Sequence, residues 1–177
     1  MRKRERSSSP AWRADFQPPE PPSTASWRLE PLRPELNEQD HAAWASCRER
    51  LVQELDWKGW PAPDFTLQDN HADLAEHYAE FLRREAYAWS VLRGERCLGC
   101  VYVEPWSSGA QLAFWVIDEA LPLEAELLCF MLDWLASWPF EQVVVPVRPQ
   151  HRRGRQVLAS LGLREVQGPP GFVSYAR

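Results

Sequence analysis

The amino-acid sequence predicts a mixed α/β fold: a central mixed β-sheet with helices on both faces. Three observations point to it. Tyr87 to Glu104 reads as a β-hairpin, two strand-like runs around the turn Arg93-Gly-Glu-Arg96. Between Ala110 and Val147 a strand, an apolar helix and a second strand follow one another. Such a β-α-β crossover makes its strands parallel and its connection right-handed. Finally, 177 residues of which 45% are hydrophobic suit one domain with an ample core.

The elements follow in order. Residues 1–26 are rich in Arg, Ser and Pro and bury too little apolar surface to offset ordering entropy, so a disordered tail is expected before a domain at 27–177. Trp27 to Leu32 is a short edge strand, bounded by Pro31 and Pro34. Asn37 suits a helix cap, and Trp44, Cys47, Leu51 and Leu55 follow at helical spacing. After a loop from Trp57 to Phe65, Asp69 or Asn70 is expected to cap a second helix with Leu74, Tyr78, Phe81 and Leu82 on one face. The hairpin comes next, then a strand from Ala110 to Ile117. Pro122, Glu124 and Glu126 mark the start of a helix that is apolar nearly all round to Trp138. A buried strand from Gln142 to Val147 leads to a basic helix, about Gln150 to Leu161, stopped by Gly162. Leu163–Val166 and Phe172–Ala176 finish as strands.

Charge and composition exclude several classes. The formal net charge is −5; Arg2, Lys3, Arg4, Arg6 and Arg13 against Glu5, Asp15 and Glu20 give the tail +2 and leave −7 on residues 27–177. An acidic domain repels phosphate backbones, so nucleic acid is not the expected partner, and a cationic or neutral substrate is. No apolar run spans a bilayer, and no apolar stretch follows the basic start, so neither membrane insertion nor secretion is expected and the cytoplasm is the default. Cys97 and Cys100 form the one Cys-x-x-Cys pair. On a regular strand residues three apart face opposite sides, which predicts structural thiols and no metal. Asp73, His77 and Glu80 lie near one helix face without a recognised metal spacing.

Three segments resemble the GNAT superfamily of acyl-CoA-dependent N-acyltransferases over residues 27–177. They are the hairpin Tyr87–Glu104, the strand Ala110-Gln-Leu-Ala-Phe-Trp-Val-Ile117, and the stretch Val147 to Leu163. The last is similar to the family's Asn-x-x-Ser-x-x-Val-Leu-x-x-Leu-Gly-Phe helix, with His151 at the Asn position, Gly154 at the Ser position and Leu163 at the Phe position. The branch it resembles most acts on protein N-termini, ribosomal proteins and small amines.

The resemblance implies acetyl-CoA as co-substrate, its pantetheine against the backbone of Trp115, Val116 and Ile117. His151, Arg152 and Arg155 would stand near the cofactor, with the other arginines of that stretch on a phosphate-facing or merely solvated face. Gln111 stands where some members carry a glutamate base, and Leu158 where many carry a tyrosine acid; Glu104 is then the group able to take a proton. Trp57, Trp60 and Phe65 either wall the acceptor pocket or plug the core end. Where the family has a glycine-rich pyrophosphate loop, this chain reads Asp118-Glu-Ala-Leu-Pro-Leu-Glu-Ala125. Two functions are therefore expected: acetyl transfer to an amine of a small molecule or a protein N-terminus, or a non-catalytic module of the same fold that has lost acetyl-CoA binding. A homodimer is compatible with either.

Overall fold

The structure, a computed structural model, describes residues 16–57, 59–107 and 109–177. Seven strands form one sheet in the order β1-β2-β3-β4-β5-β7-β6. They are β1 (Arg28–Pro31), β2 (Tyr87–Arg93), β3 (Arg96–Trp106), β4 (Gly109–Val116), β5 (Val143–Val147), β6 (Arg164–Val166) and β7 (Val173–Ala176). The helices are α1 (Asn37–Ser46), α2 (Arg48–Leu55), α3 (Leu67–Leu82), α4 (Glu124–Leu135) and α5 (Arg152–Ser160). β4 and β5 are parallel, as the crossover requires, and the other neighbours are antiparallel.

Alternation along the strands sorts the side chains to two faces. Cys100 and Tyr102 of β3 meet Asp40 of α1 and His77 of α3. Trp89, opposite Val101, packs against Trp134 of α4 with ring centroids 5.2 Å apart, and Phe81 at the end of α3 meets its edge at 5.5 Å. Helices therefore cover both faces. Each large apolar side chain buried between the layers contributes about 1.5–3 kcal/mol.

Several boundaries differ from the sequence expectation. The first helix breaks at Cys47 into α1 and α2. Asn37 is the first residue of α1 rather than its cap, and its side chain crosses to the Leu67 carbonyl. α3 starts at a capping box: the Thr66 hydroxyl accepts from the Asp69 N–H, and the Asp69 carboxylate accepts from the Thr66 N–H. Asn70, expected as an alternative cap, is buried among Trp44, Asn37 and Asp40. Pro122 lies in a 3-10 segment, Asp118–Leu123, that leads into α4.

Of the expected tail, residues 1–15 lie outside the described residues. Phe16 packs against Trp138, Tyr87 and Phe140. Among the described residues no helix is long and apolar enough to cross a membrane.

The β3 strand carries a bulge. Val91 pairs with Gly99 but Leu92 pairs with Cys97, so Leu98 is the extra residue. A Cβ on Gly99 would stand 2.0 Å from the Trp115 carbonyl oxygen, which is why glycine occupies this place. The bulge also corrects the expectation for the two thiols. Cys97, Cys100 and Asp40, all buried, bring their polar atoms within 4.8 Å of one another. This is the one group among the described residues whose atoms could gather around a metal.

Candidate active site

The site is built where the sheet splits. β4 pairs with β5 only at Ala110↔Val143 and Gln111↔Val144; β5 then pairs with β7 from Val145 to Val147. The far half of β4 therefore keeps a bare outer edge. The Ala110 N–H donates to Gln142 on the β5 side, and the Ile117 N–H donates to Leu98 on the β3 side. Alternation then turns the backbone groups of Leu112, Phe114 and Val116 toward β5 and those of Gln111, Ala113 and Trp115 toward β3. The groups of Phe114 and Val116 lie beyond the last β5 pairing; Phe114 lines the cleft, and Val116 is turned to the same side with its carbonyl bonded to Arg50.

That cleft is bounded by β4 on one side, Val145–Arg148 on the other, and α2 and α5 across its mouth. Its enclosed volume is about 30 Å3, room for about two waters. Side chains take the rest. The Arg153 guanidinium donates to both carboxylate oxygens of Glu54, at 3.1 and 2.8 Å, and also to Glu124. Arg50 donates to Glu54 at 2.7 Å, to Asp118 at 2.5 Å and to the Val116 carbonyl.

Burial pushes the Glu54 carboxyl up, but Arg153 and Arg50 more than offset this and hold it below the usual range. At Glu124, which is 5% exposed, burial wins over Arg153 and raises the carboxyl. His151 sits 3.8 Å from Glu54, and burial lowers its imidazole against that carboxylate's pull. Its ring lies where a side chain at Gly154 would fall, 2.4 Å from the position of a Cβ, so the small residue lets the imidazole lie on α5.

On the α1–α3 face an aromatic wall adjoins the cleft. Trp57 packs edge-on to Tyr102 with centroids 5.5 Å apart, Trp60 lies against Trp115 at 6.1 Å, and Phe65 against Trp44 at 5.8 Å. The Trp115 indole donates to the Tyr102 hydroxyl at 3.2 Å, and burial raises that phenol well above its ordinary range. Gln111 donates to Glu104 at 2.8 Å across the β3–β4 pair. His77 has Asp73 at 3.7 Å on Nε2 and Glu80 at 3.4 Å on Nδ1, so the two carboxylates stand at opposite nitrogens.

The structure thus brings some expected residues together and not others. Trp57, Trp115 and His151 line the cleft. Val116 reaches it through its carbonyl, whereas the Ile117 N–H is spent in the sheet. Trp60 and Phe65 stand behind Trp57 in the wall. Arg152 is exposed on α5, and Arg155 turns to Glu165 and Tyr175, away from the cleft. Arg50, Glu54 and the Phe114 backbone were not singled out from the sequence. The Arg50–Glu54 spacing of four on a helix is a visible signal for a pair, but its link to Arg153 spans 99 residues.

No family model matches the chain, and no curated protein matches it in sequence. Solved structures do match in fold. RimJ of Mycobacterium smegmatis in complex with a CoA disulfide gives a TM-score of 0.73 at 16% identity, covering 85% of this chain and 81% of that one. The ribosomal-protein-S5-alanine acetyltransferase of Vibrio fischeri gives 0.70 at 11% identity, covering 88% and 94%. The microcin C7 self-immunity acetyltransferase MccE, in complex with acetyl-CoA and AMP, gives 0.72 at 9% identity, covering 87% and 93%. The chain shares the fold of these solved structures, the GNAT-type fold that its sequence resemblance implied.

Proposed function

We propose that the protein is an N-acyltransferase that moves an acyl group from a CoA-type thioester, acetyl-CoA in the first instance, to an amine. The observation that carries this reading is the bare edge of β4. An extended, amide-bearing arm such as pantetheine pairs with such an edge as an added strand, and the Phe114 backbone and the Val116 N–H offer groups for it, the Val116 carbonyl being taken by Arg50. N–H groups on this edge also suit the oxyanion that develops on an acyl carbonyl. The diphosphate half of the donor fits less well, because Glu124 and Arg153 already occupy the α4 end.

The amine enters from the α1–α3 face, beside Trp57 and Trp115. Glu104, half-buried and held by Gln111, lines a separate small pocket with His77 and Tyr102, so it takes the ammonium proton through water, freeing the lone pair. The nitrogen bonds to the acyl carbon, the carbon–sulfur bond breaks, and the second amine proton goes to the departing thiol. Most of the rate comes from holding the two reactants together. The −7 carried by residues 27–177 favours a cationic acceptor. Solved neighbours described as acting on ribosomal protein N-termini support a peptide amine, and a small-molecule amine is the other acceptor class. Thiol release from acetyl-CoA, read against N-terminal peptides and small polyamines, tests this reading. A product heavier by one acetyl group is expected; no product and no saturable donor binding would end it.

A second reading, a binding module that uses the fold without catalysis, is favoured by the ion pairs across the cleft mouth. It predicts no thiol release with any amine.

A further inference from the structure

Glu124 opens α4, the helix whose N-terminal end faces the mouth of the β4–β5 cleft. The first turn of a helix carries unpaired N–H groups and a partial positive charge that attract an anion. In this chain an anion is already there, since the Glu124 side chain is only 6% exposed and is bound by Arg153. Arg153 is gripped in turn by both oxygens of Glu54, and Glu54 by Arg50. Arg50 ties the chain to Asp118 and to the end of β4. The network therefore cross-links α2, β4, α4 and α5, the elements around the cleft mouth. Its two guanidinium groups face three carboxyl groups, so a diphosphate would bring more negative charge to a place already short of cations. The bare edge of β4 lies deeper and is untouched by this, apart from the Val116 carbonyl.

We propose that the Glu124 carboxylate, latched by Arg153, occupies the place a donor's diphosphate would take, so that the cleft recognises its acyl donor through the pantetheine arm and discriminates against the diphosphate. The inference rests on the acyltransferase reading and narrows its donor. A thioester of pantetheine, free or carried by a larger group through its single phosphate, can lie along β4 with the latch closed. A donor with a diphosphate must open it. Glu124 and Arg153 are then specificity-determining residues.

Calorimetric titration of the full chain with pantetheine, 4′-phosphopantetheine and CoA tests this. The protein as it stands should bind CoA at least about threefold more weakly than pantetheine. Glu124→Gln removes the carboxylate charge from the helix start and leaves the Arg153 Nη1 available to a phosphate while Glu54 keeps the other two nitrogens; one new charge-assisted hydrogen bond should tighten CoA about tenfold while leaving pantetheine unchanged. The gain should shrink with added salt. Glu119→Gln is the control, because Glu119 is exposed, pairs with Arg96 and lies outside the latch; it removes the same charge near the same helix and should move CoA affinity little. The proposal is overturned if unaltered protein binds CoA as tightly as pantetheine or tighter, or if Glu119→Gln tightens CoA as much as Glu124→Gln does. It is also overturned if Glu124→Gln keeps the unaltered melting temperature and changes no affinity. Those outcomes leave the acyltransferase reading standing. If none of the three ligands binds either protein, that reading falls and the latch proposal falls with it.

Discussion

Gly99→Ala is the perturbation that most directly couples the fold to the donor edge. An added Cβ would sit 2.0 Å from the Trp115 carbonyl oxygen and 2.7 Å from the Val116 Cα, both backbone atoms of the neighbouring strand. Neither can rotate away, so β3 and β4 must part by about 1 Å or more to reach an ordinary C···O contact. The Ile117 N–H to Leu98 carbonyl bond, now 2.8 Å, would then be stretched beyond hydrogen-bonding range. Losing this bond and one ladder neighbour costs about 1–1.5 kcal/mol each, and forcing a methyl into a packed site adds about 1–3 kcal/mol. The variant should lose about 3–6 kcal/mol in urea unfolding and bind pantetheine more weakly, because the same displacement moves Phe114 and Val116. A loss below about 1 kcal/mol would refute the argument that the bulge sets the strand-to-strand approach.

Three further outcomes follow from the same geometry. Arg153→Met should cost about 2–3 kcal/mol, since it leaves Glu124 buried without its cation, and adding Glu124→Gln should recover most of that loss; both are read by denaturant titration. Burial raises the Asp40 carboxyl above its ordinary range, so the folded state holds this proton more tightly than the unfolded chain. Its contribution to stability is greatest below the ordinary Asp range and falls as pH rises through the folded value; Asp40→Asn should flatten that part of the melting-temperature profile, and an unchanged slope would contradict the assignment. Phe16→Ala should lower stability by about 1–2 kcal/mol as its packing against Trp138 and Tyr87 is removed, less than a fully buried Phe because this ring is half-exposed.

The layers of this fold were legible because they rest on periodicity. The apolar runs on both sides of α4 mark a crossover, and a crossover leaves no freedom in strand direction. The bulge was less visible, although Gly99 inside a strand pattern is its usual sign; once Leu98 is extra, Cys97 and Cys100 share a face. The α3 cap was misplaced because three capping residue types lie within five positions, and only the tertiary pull on Asn70 from Trp44 and Asp40 separates the buried one from the capping ones. The latch was beyond the sequence for a different reason. Arg153 reads as one of several arginines on a basic helix. What distinguishes it from Arg152 and Arg155 is the direction in which α5 turns it, and that is set by packing of Leu158 and Gly154 against the sheet and His151.

The proposed function rests on the outer edge of β4 being the strand along which the donor lies. Amide hydrogen exchange over 112–117, with and without saturating pantetheine, addresses it most directly. Slowed exchange is expected at Phe114 and Val116, whose N–H groups face the β5 side beyond its last pairing, with little change at Trp115 and Ile117, which already lie on the β3 side. Protection elsewhere in the chain with none at Phe114 and Val116 would contradict it.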